Sequence, residues 1–147
     1  TPTPTISPKP AITNTPTLSI TPTQTNNQTP SNYSMSSLLQ QVNDFRSSKG
    51  LSSIQTDGYS CAFATTRAGE IAAGFNHDGF NNRISSKSLP YPSYSYVNEN
   101  IAMNSDPGNV VKSWIDSPGH NENIQKDTPY VCIARNGNFY AYEGWKP

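Results

Sequence analysis

The chain of 147 residues predicts an α+β domain built in layers, with helices in its first half and a β-hairpin at its end. Three observations carry this. Met35, Leu38, Leu39, Val42 and Phe45 repeat at helical spacing. The stretch TPYVCIARNGNFYAYEGW (128–145) alternates about a turn-forming Asn136-Gly137 pair. Every aromatic residue and both cysteines lie from Tyr33 onward, so that is where a core can form.

Residues 1–32 hold ten Thr and seven Pro, with no aromatic residue and no glycine. Such a segment lacks the apolar surface to offset the entropy of ordering its backbone. Its prolines keep it extended, so it is expected to be a disordered, semi-rigid linker or stalk. Residues 33–147 have the size of one domain with one core.

The first helix is expected over 34–50, with serines to cap its start and Gly50 past its end. Asp57 can cap a second helix running to about Phe75. Its expected buried face is Cys61, Ala62, Thr65, Ala68, Ile71, Ala72 and Phe75. Residues 81–89 suit a short helical turn, and LPYPSYSY (89–96) suits a surface loop because of its two prolines and three tyrosines. A third helix starts at the Asp106 cap with Pro107 at its first position and turns Val110, Val111 and Trp114 inward. Pro118-Gly119 is expected to end it, leaving His120 in the loop beyond. In the hairpin, Val131 and Ile133 alternate against Cys132 and Ala134, and Phe139, Ala141 and Glu143 against Tyr140, Tyr142 and Gly144.

Ten basic and ten acidic side chains cancel, and no basic patch is present, which weighs against binding nucleic acid through its phosphates. No apolar run approaches the roughly 20 residues that span a bilayer. The chain starts at Thr1, so a signal peptide or anchor is expected to have been removed or to lie outside this sequence. Cys61 and Cys132 show no CxxC spacing. Behind a Thr/Pro spacer, which suggests export, one disulfide between them is expected over two buried thiols. It would tie the second helix to the hairpin. The sequence lacks HExxH, G-x-S-x-G and the P-C-x-x-C that must follow H-x-E in zinc deaminases. For glycosidase chemistry Glu99 is one candidate carboxylate, and a second is not evident.

Four short motifs occur in order: VNDFR (42–46), FNHDGF (75–80), NENIA (98–102) and WIDSPGHNENI (114–124), followed by the aromatic hairpin. In this order they resemble the CAP superfamily of cysteine-rich secretory, antigen-five and pathogenesis-related proteins. The closest likeness is to its bacterial branch of SCP-like extracellular proteins, over about residues 35–145. The resemblance implies a three-layer α-β-α sandwich with a central cavity. Matched to the family's motifs, His77, Glu99 and His120 line that cavity. His77 and His120 are similar to the imidazole pair that holds a divalent cation, often zinc, in some members. Glu99 then orients an imidazole or a bound water. Two departures stand out: Ser117 replaces a second cavity glutamate, and Asn98 replaces the glycine before the motif glutamate. Together they imply a weakly held or pH-sensitive metal.

Asn43, Arg46, Asn100, Asn123 and Trp114 are expected to be structural, whereas Arg83 suits either a clamp on the loop after His77 or the cavity wall. The resemblance therefore implies a secreted or cell-surface monomer whose cavity serves as a metal-capable binding module rather than a proven enzyme. Its ligand would be a protein, a lipid or a cell-envelope component. Two other readings stand beside it. One is a hydrolase in which a metal, or Glu99 with His77 and His120, activates water. The other is a hydrophobic-ligand carrier using the tyrosines of 91–96 with Tyr140, Tyr142 and Trp145.

Overall fold

A computed structural model describes residues 33–147; the expected stalk, residues 1–32, lies outside the described residues. Ser34 caps α1 (Met35–Ser48) through its side chain, and Asp57 caps α2 (Gly58–Ala73) in the same way. Then follow α3 (Asp78–Ser85), β1 (Tyr96–Met103), a 3-10 turn at Pro107–Asn109, α4 (Val110–Asp116), α5 (Pro118–Gln125), β2 (Tyr130–Asn136) and β3 (Phe139–Lys146). The three strands form one antiparallel sheet in the order β1-β3-β2.

The period-2 alternation of β3 divides the core. On one face Tyr140 and Tyr142 join Val131, Ile133 and Ala102 against Leu38 and Val42 of α1, Val110, Val111 and Trp114 of α4, and Ile124 of α5. On the other face Ala141 and Trp145 meet Ala68, Ile71 and Phe63 of α2. Helices thus cover both faces of the sheet, giving the three-layer α-β-α sandwich. The Cys61–Cys132 disulfide joins α2 to β2 across one layer boundary.

Both sheet edges are covered. The segment before α2 lies along β2, where Gln55 N–H donates to Pro129 O and Gln55 O accepts from Val131 N–H. On β1, Glu99 O accepts from Asn123 Nδ2 at 3.0 Å and Ile101 O from Trp114 Nε1 at 3.1 Å. Two side chains therefore satisfy carbonyls that a free edge would leave open.

Several local expectations change. Residues 96–103 form a strand, because pairing with β3 buries Asn98 to Ala102 on both faces; the expected loop stops at Tyr96. The helical turn expected at 81–89 is a helix that begins earlier, at Asp78. Asp106 caps only the 3-10 turn, from which α4 continues. Pro118-Gly119 opens a helix instead of closing one, since proline at the first helical position needs no N–H partner; His120 is therefore helical. The α2 face rotates: Ser60, Phe63, Ala64, Arg67, Ala68 and Ile71 are buried, whereas Ala62, Thr65, Ala72 and Phe75 are exposed. The hairpin turn is Gly137-Asn138, between paired Asn136 and Phe139; Gly137 alone takes positive φ (+58°), the pattern of a type II′ turn.

Candidate functional site

A cleft of about 440 Å³ opens beside β1 and is lined by His77, Glu99, Ser117, His120 and Asn123, with Tyr96, Glu122 and Lys126 at its rim. Its walls come from three separate pieces of the chain. His77 precedes α3, Glu99 sits mid-strand in β1, and Ser117 and His120 stand at the start of α5. Asparagines join these pieces. Asn100 Nδ2 donates to His120 O at 3.0 Å, and Asn98 Nδ2 donates to Asn123 O at 2.8 Å. Asn123 Nδ2 donates to Asn100 Oδ1 at 2.9 Å as well as to Glu99 O. Arg46, from α1, donates to Ile124 O at 2.6 Å and Lys126 O at 2.8 Å, holding the far end of α5. Asn43 exchanges hydrogen bonds with both backbone groups of Ile54.

The departure at Asn98 has a structural counterpart. Asn98 pairs with Gly144 across the sheet. A Cβ on Gly144 would stand 2.2 Å from Asn98 Oδ1. The absence of a side chain at Gly144, on the neighbouring strand, makes room for the asparagine that reaches α5.

Glu99 is the electrostatic centre. Its side chain is 1% exposed and carries an ion pair with the equally buried Arg67, whose Nε lies 2.6 Å from Oε2. Its other oxygen, Oε1, lies 2.7 Å from His77 Nδ1. Burial works to raise the pKa of Glu99. Hydrogen bonds with His77, Glu143 and Arg67, together with the guanidinium charge, outweigh burial and hold Glu99 below the usual carboxylate value. A carboxylate on Nδ1 makes that nitrogen the donor, so the His77 lone pair sits on Nε2. The His77 side chain is 43% exposed and so reaches the cleft. His120 is held below its ordinary pKa by burial and then by the nearby His77, which favours neutral imidazole.

Behind Glu99, Arg67 also pairs with Glu70 and donates to Asn76 O at 2.9 Å, in the segment before His77. Arg83 binds Glu70 and donates to Gly79 O at 2.7 Å, so it clamps α3 to α2 and is not part of the cleft wall. Gly79 is needed there: a Cβ would come within 2.1 Å of Arg67 Nη1.

His77, Glu99, Ser117 and His120 are brought together. The tyrosine cluster is not: Tyr140, Tyr142 and Trp145 are buried in the core, and only Tyr96 of that set reaches the cleft. Sequence reasoning missed Arg67, whose signal is its helical phase with Phe63, Ala64 and Ile71. It also missed Glu143, the carboxylate facing Glu99 in register, which is visible only once β1 and β3 are paired.

A divalent cation fits this donor set in a limited way. Two imidazoles can supply nitrogens, but the Glu99 carboxylate is taken up by Arg67 and His77. Among the described residues no three His, Cys, Asp or Glu side chains gather into a metal cage. Nor is any described helix long and apolar enough to cross a membrane.

The model of the cysteine-rich secretory protein family, CAP, matches residues 39–139. An extracellular protein of Bacillus anthracis containing an SCP domain has a similar structure, with TM-score 0.67 at 20% identity over 77% of this chain and 40% of that one. A cysteine-rich secretory protein of Staphylococcus aureus gives 0.64 at 16% identity, over 77% of this chain and 38% of that one. An outer surface protein of Borrelia burgdorferi gives 0.65 at 20% identity over 76% and 91%. The chain spans about two fifths of the Bacillus and Staphylococcus proteins. No curated protein matches the sequence. With the family model covering more than half of the chain and the layered fold shared with SCP-domain structures, the chain belongs to the CAP family.

Proposed function

We propose that this CAP domain works outside the cell, held on its Thr/Pro segment, as a binding module whose polar cleft takes a divalent cation on His77 and His120. The observation that carries this reading is the 2.7 Å contact of Glu99 Oε1 with His77 Nδ1, made by a carboxylate that Arg67 keeps ionised. A carboxylate behind one ring nitrogen presents the other as a ligand and raises its basicity. Zinc suits two neutral imidazoles with water at the open positions. When bound, the cation would supply Lewis acidity and tie α5 to the segment before α3. With Ser117 where a second carboxylate would stand, the affinity is modest and falls as the imidazoles protonate.

The polar walls and the burial of Tyr140, Tyr142 and Trp145 favour this reading over a hydrophobic-ligand carrier. Its hold on Arg67 and His77 leaves Glu99 poorly placed to take a proton from water, which weighs against the hydrolase reading. The outer-surface and extracellular character of similar structures supports the location. Calorimetric titration of the metal-stripped chain with zinc at neutral pH tests the proposal. Saturable one-site binding is expected, abolished by His77→Ala and by His120→Ala alike. Binding that survives either substitution would remove the two-imidazole site.

A further inference from the structure

Glu143 lies directly opposite Glu99, on the α2 side of the sheet, and is fully buried. Asn104 N–H donates to Asn138 O, which puts the even-numbered residues of β1 at hydrogen-bonded positions and makes Glu99–Glu143 a non-hydrogen-bonded pair. Side chains come closest at such pairs. Glu143 does not line the cleft. Both of its carboxyl oxygens are buried, and no N–H or hydroxyl donor among the described residues reaches them. Buried polar atoms of this kind need an explanation.

One guanidinium, that of Arg67, reaches Glu99, and its donors are used up; the nearby Arg83 is engaged by Glu70 and Gly79 O. Arg67 places Nε and Nη2 on Glu99, Nη1 on Glu70, and Nη2 also on Asn76 O. Among the described residues no cationic group is bonded to Glu143, and two adjacent buried carboxylates sharing one arginine cannot both ionise at reasonable cost. We propose that Glu143 is a neutral acid whose hydroxyl donates to the Glu99 carboxylate, making it the positioning residue that keeps Glu99 on Arg67 and His77.

The electrostatics of the pair follow from this geometry. Burial pushes the Glu143 carboxyl well above the usual value, the neighbouring Glu99 adds to that, and Arg67 and Arg83 oppose it. The proton turns an acceptor–acceptor contact into a charge-assisted O–H···O bond, which is short and strong. An ionised Glu143 would instead compete for Arg67 and loosen Glu99 from the imidazole. The Tyr91 hydroxyl is pushed up first of all by burial.

The claim that His77 is thereby readied for a cation rests on the proposed cation site; the protonation of Glu143 does not. Two measurements on the full chain keep them apart. Infrared difference spectroscopy at pH 7 between wild type and Glu143→Gln is expected to show one protonated-carboxyl carbonyl band, present only in wild type. Nitrogen NMR of the His77 ring is expected to show the Nδ1–H tautomer in wild type and in Glu143→Gln, whose amide still donates. Glu143→Leu is expected to lose that tautomer preference and to bind zinc on the order of tenfold more weakly. The absence of an acid band, or a His77 tautomer unchanged in Glu143→Leu, would overturn the proposal. Because the infrared measurement uses no metal, a failure of zinc binding alone would refute only the cation site.

Discussion

Replacing Arg46 by Met should strip the cleft of a support that comes from α1, outside the cleft lining. Arg46 is 4% exposed, and its three hydrogen bonds all go to carbonyls: Ser52 O at 2.8 Å, Ile124 O at 2.6 Å and Lys126 O at 2.8 Å. A hydrogen bond from a charged donor contributes about 1.5–3 kcal/mol, so the three total roughly 5–9 kcal/mol before offsets. Relieving the buried guanidinium of its desolvation returns part of this. Water can reach Ser52 O and Lys126 O, whose bonds are only partly buried, but the bond to Ile124 O is buried and that carbonyl is orphaned. The expected net loss is about 3–5 kcal/mol, a large share of the ~5–15 kcal/mol typical of a domain. Urea unfolding followed by tryptophan fluorescence reads it directly, with Trp114 and Trp145 both in the core. A loss below about 1 kcal/mol at unchanged m would show that Arg46 does not hold α5, and that the support of His120 must be sought elsewhere.

Two further outcomes follow from the sheet. Gly144→Ala should cost about 1–3 kcal/mol through the 2.2 Å clash with Asn98 Oδ1. Adding Asn98→Gly should cost less than the sum of the two single changes, and strict additivity in a double-mutant cycle would contradict the shared contact. Stability should also depend on pH through Glu143. Its pKa is raised in the folded state, so its contribution is fully present below the ordinary value of 4.5 and lost as pH rises through the folded value. Wild type should therefore lose stability relative to Glu143→Gln above about pH 5, with a slope approaching 1.4 kcal/mol per pH unit. Parallel stability curves for the two proteins would mean that Glu143 is ionised on folding.

Much of the site was legible because its residues sit in short motifs. His77, Glu99 and His120 are named by FNHDGF, NENIA and PGHNENI, and the structure brings all three to one cleft. The structural roles of Asn100, Asn123 and Arg46 were also readable, since buried amides and guanidinium groups in such motifs serve backbone carbonyls. The misreadings were local. Pro118-Gly119 signals a helix start as easily as a stop, and only the packing of Ile124 into the core selects the start. The α2 face turned because Arg67 shares the helical phase of Phe63 and Ile71, and a charged residue in that phase is buried only where a partner such as Glu99 meets it.

The sequence by itself carried the layered α+β class, the break in composition at Tyr33 and the expectation of a cysteine pair, and its short motifs, through their resemblance to the CAP family, pointed to His77, Glu99 and His120 as cleft side chains. These depend on periodicity, composition and short motifs, which are properties of neighbours along the chain. Only the tertiary structure decided that Glu143 faces Glu99, that Arg67 neutralises one of them, and that Gly144 makes room for Asn98. The first and last depend on pairing β1 with β3, strands some forty residues apart, and the second on packing α2 against β1. Strand register is set by the burial of whole faces, so no short stretch of sequence encodes which side chains will meet across it.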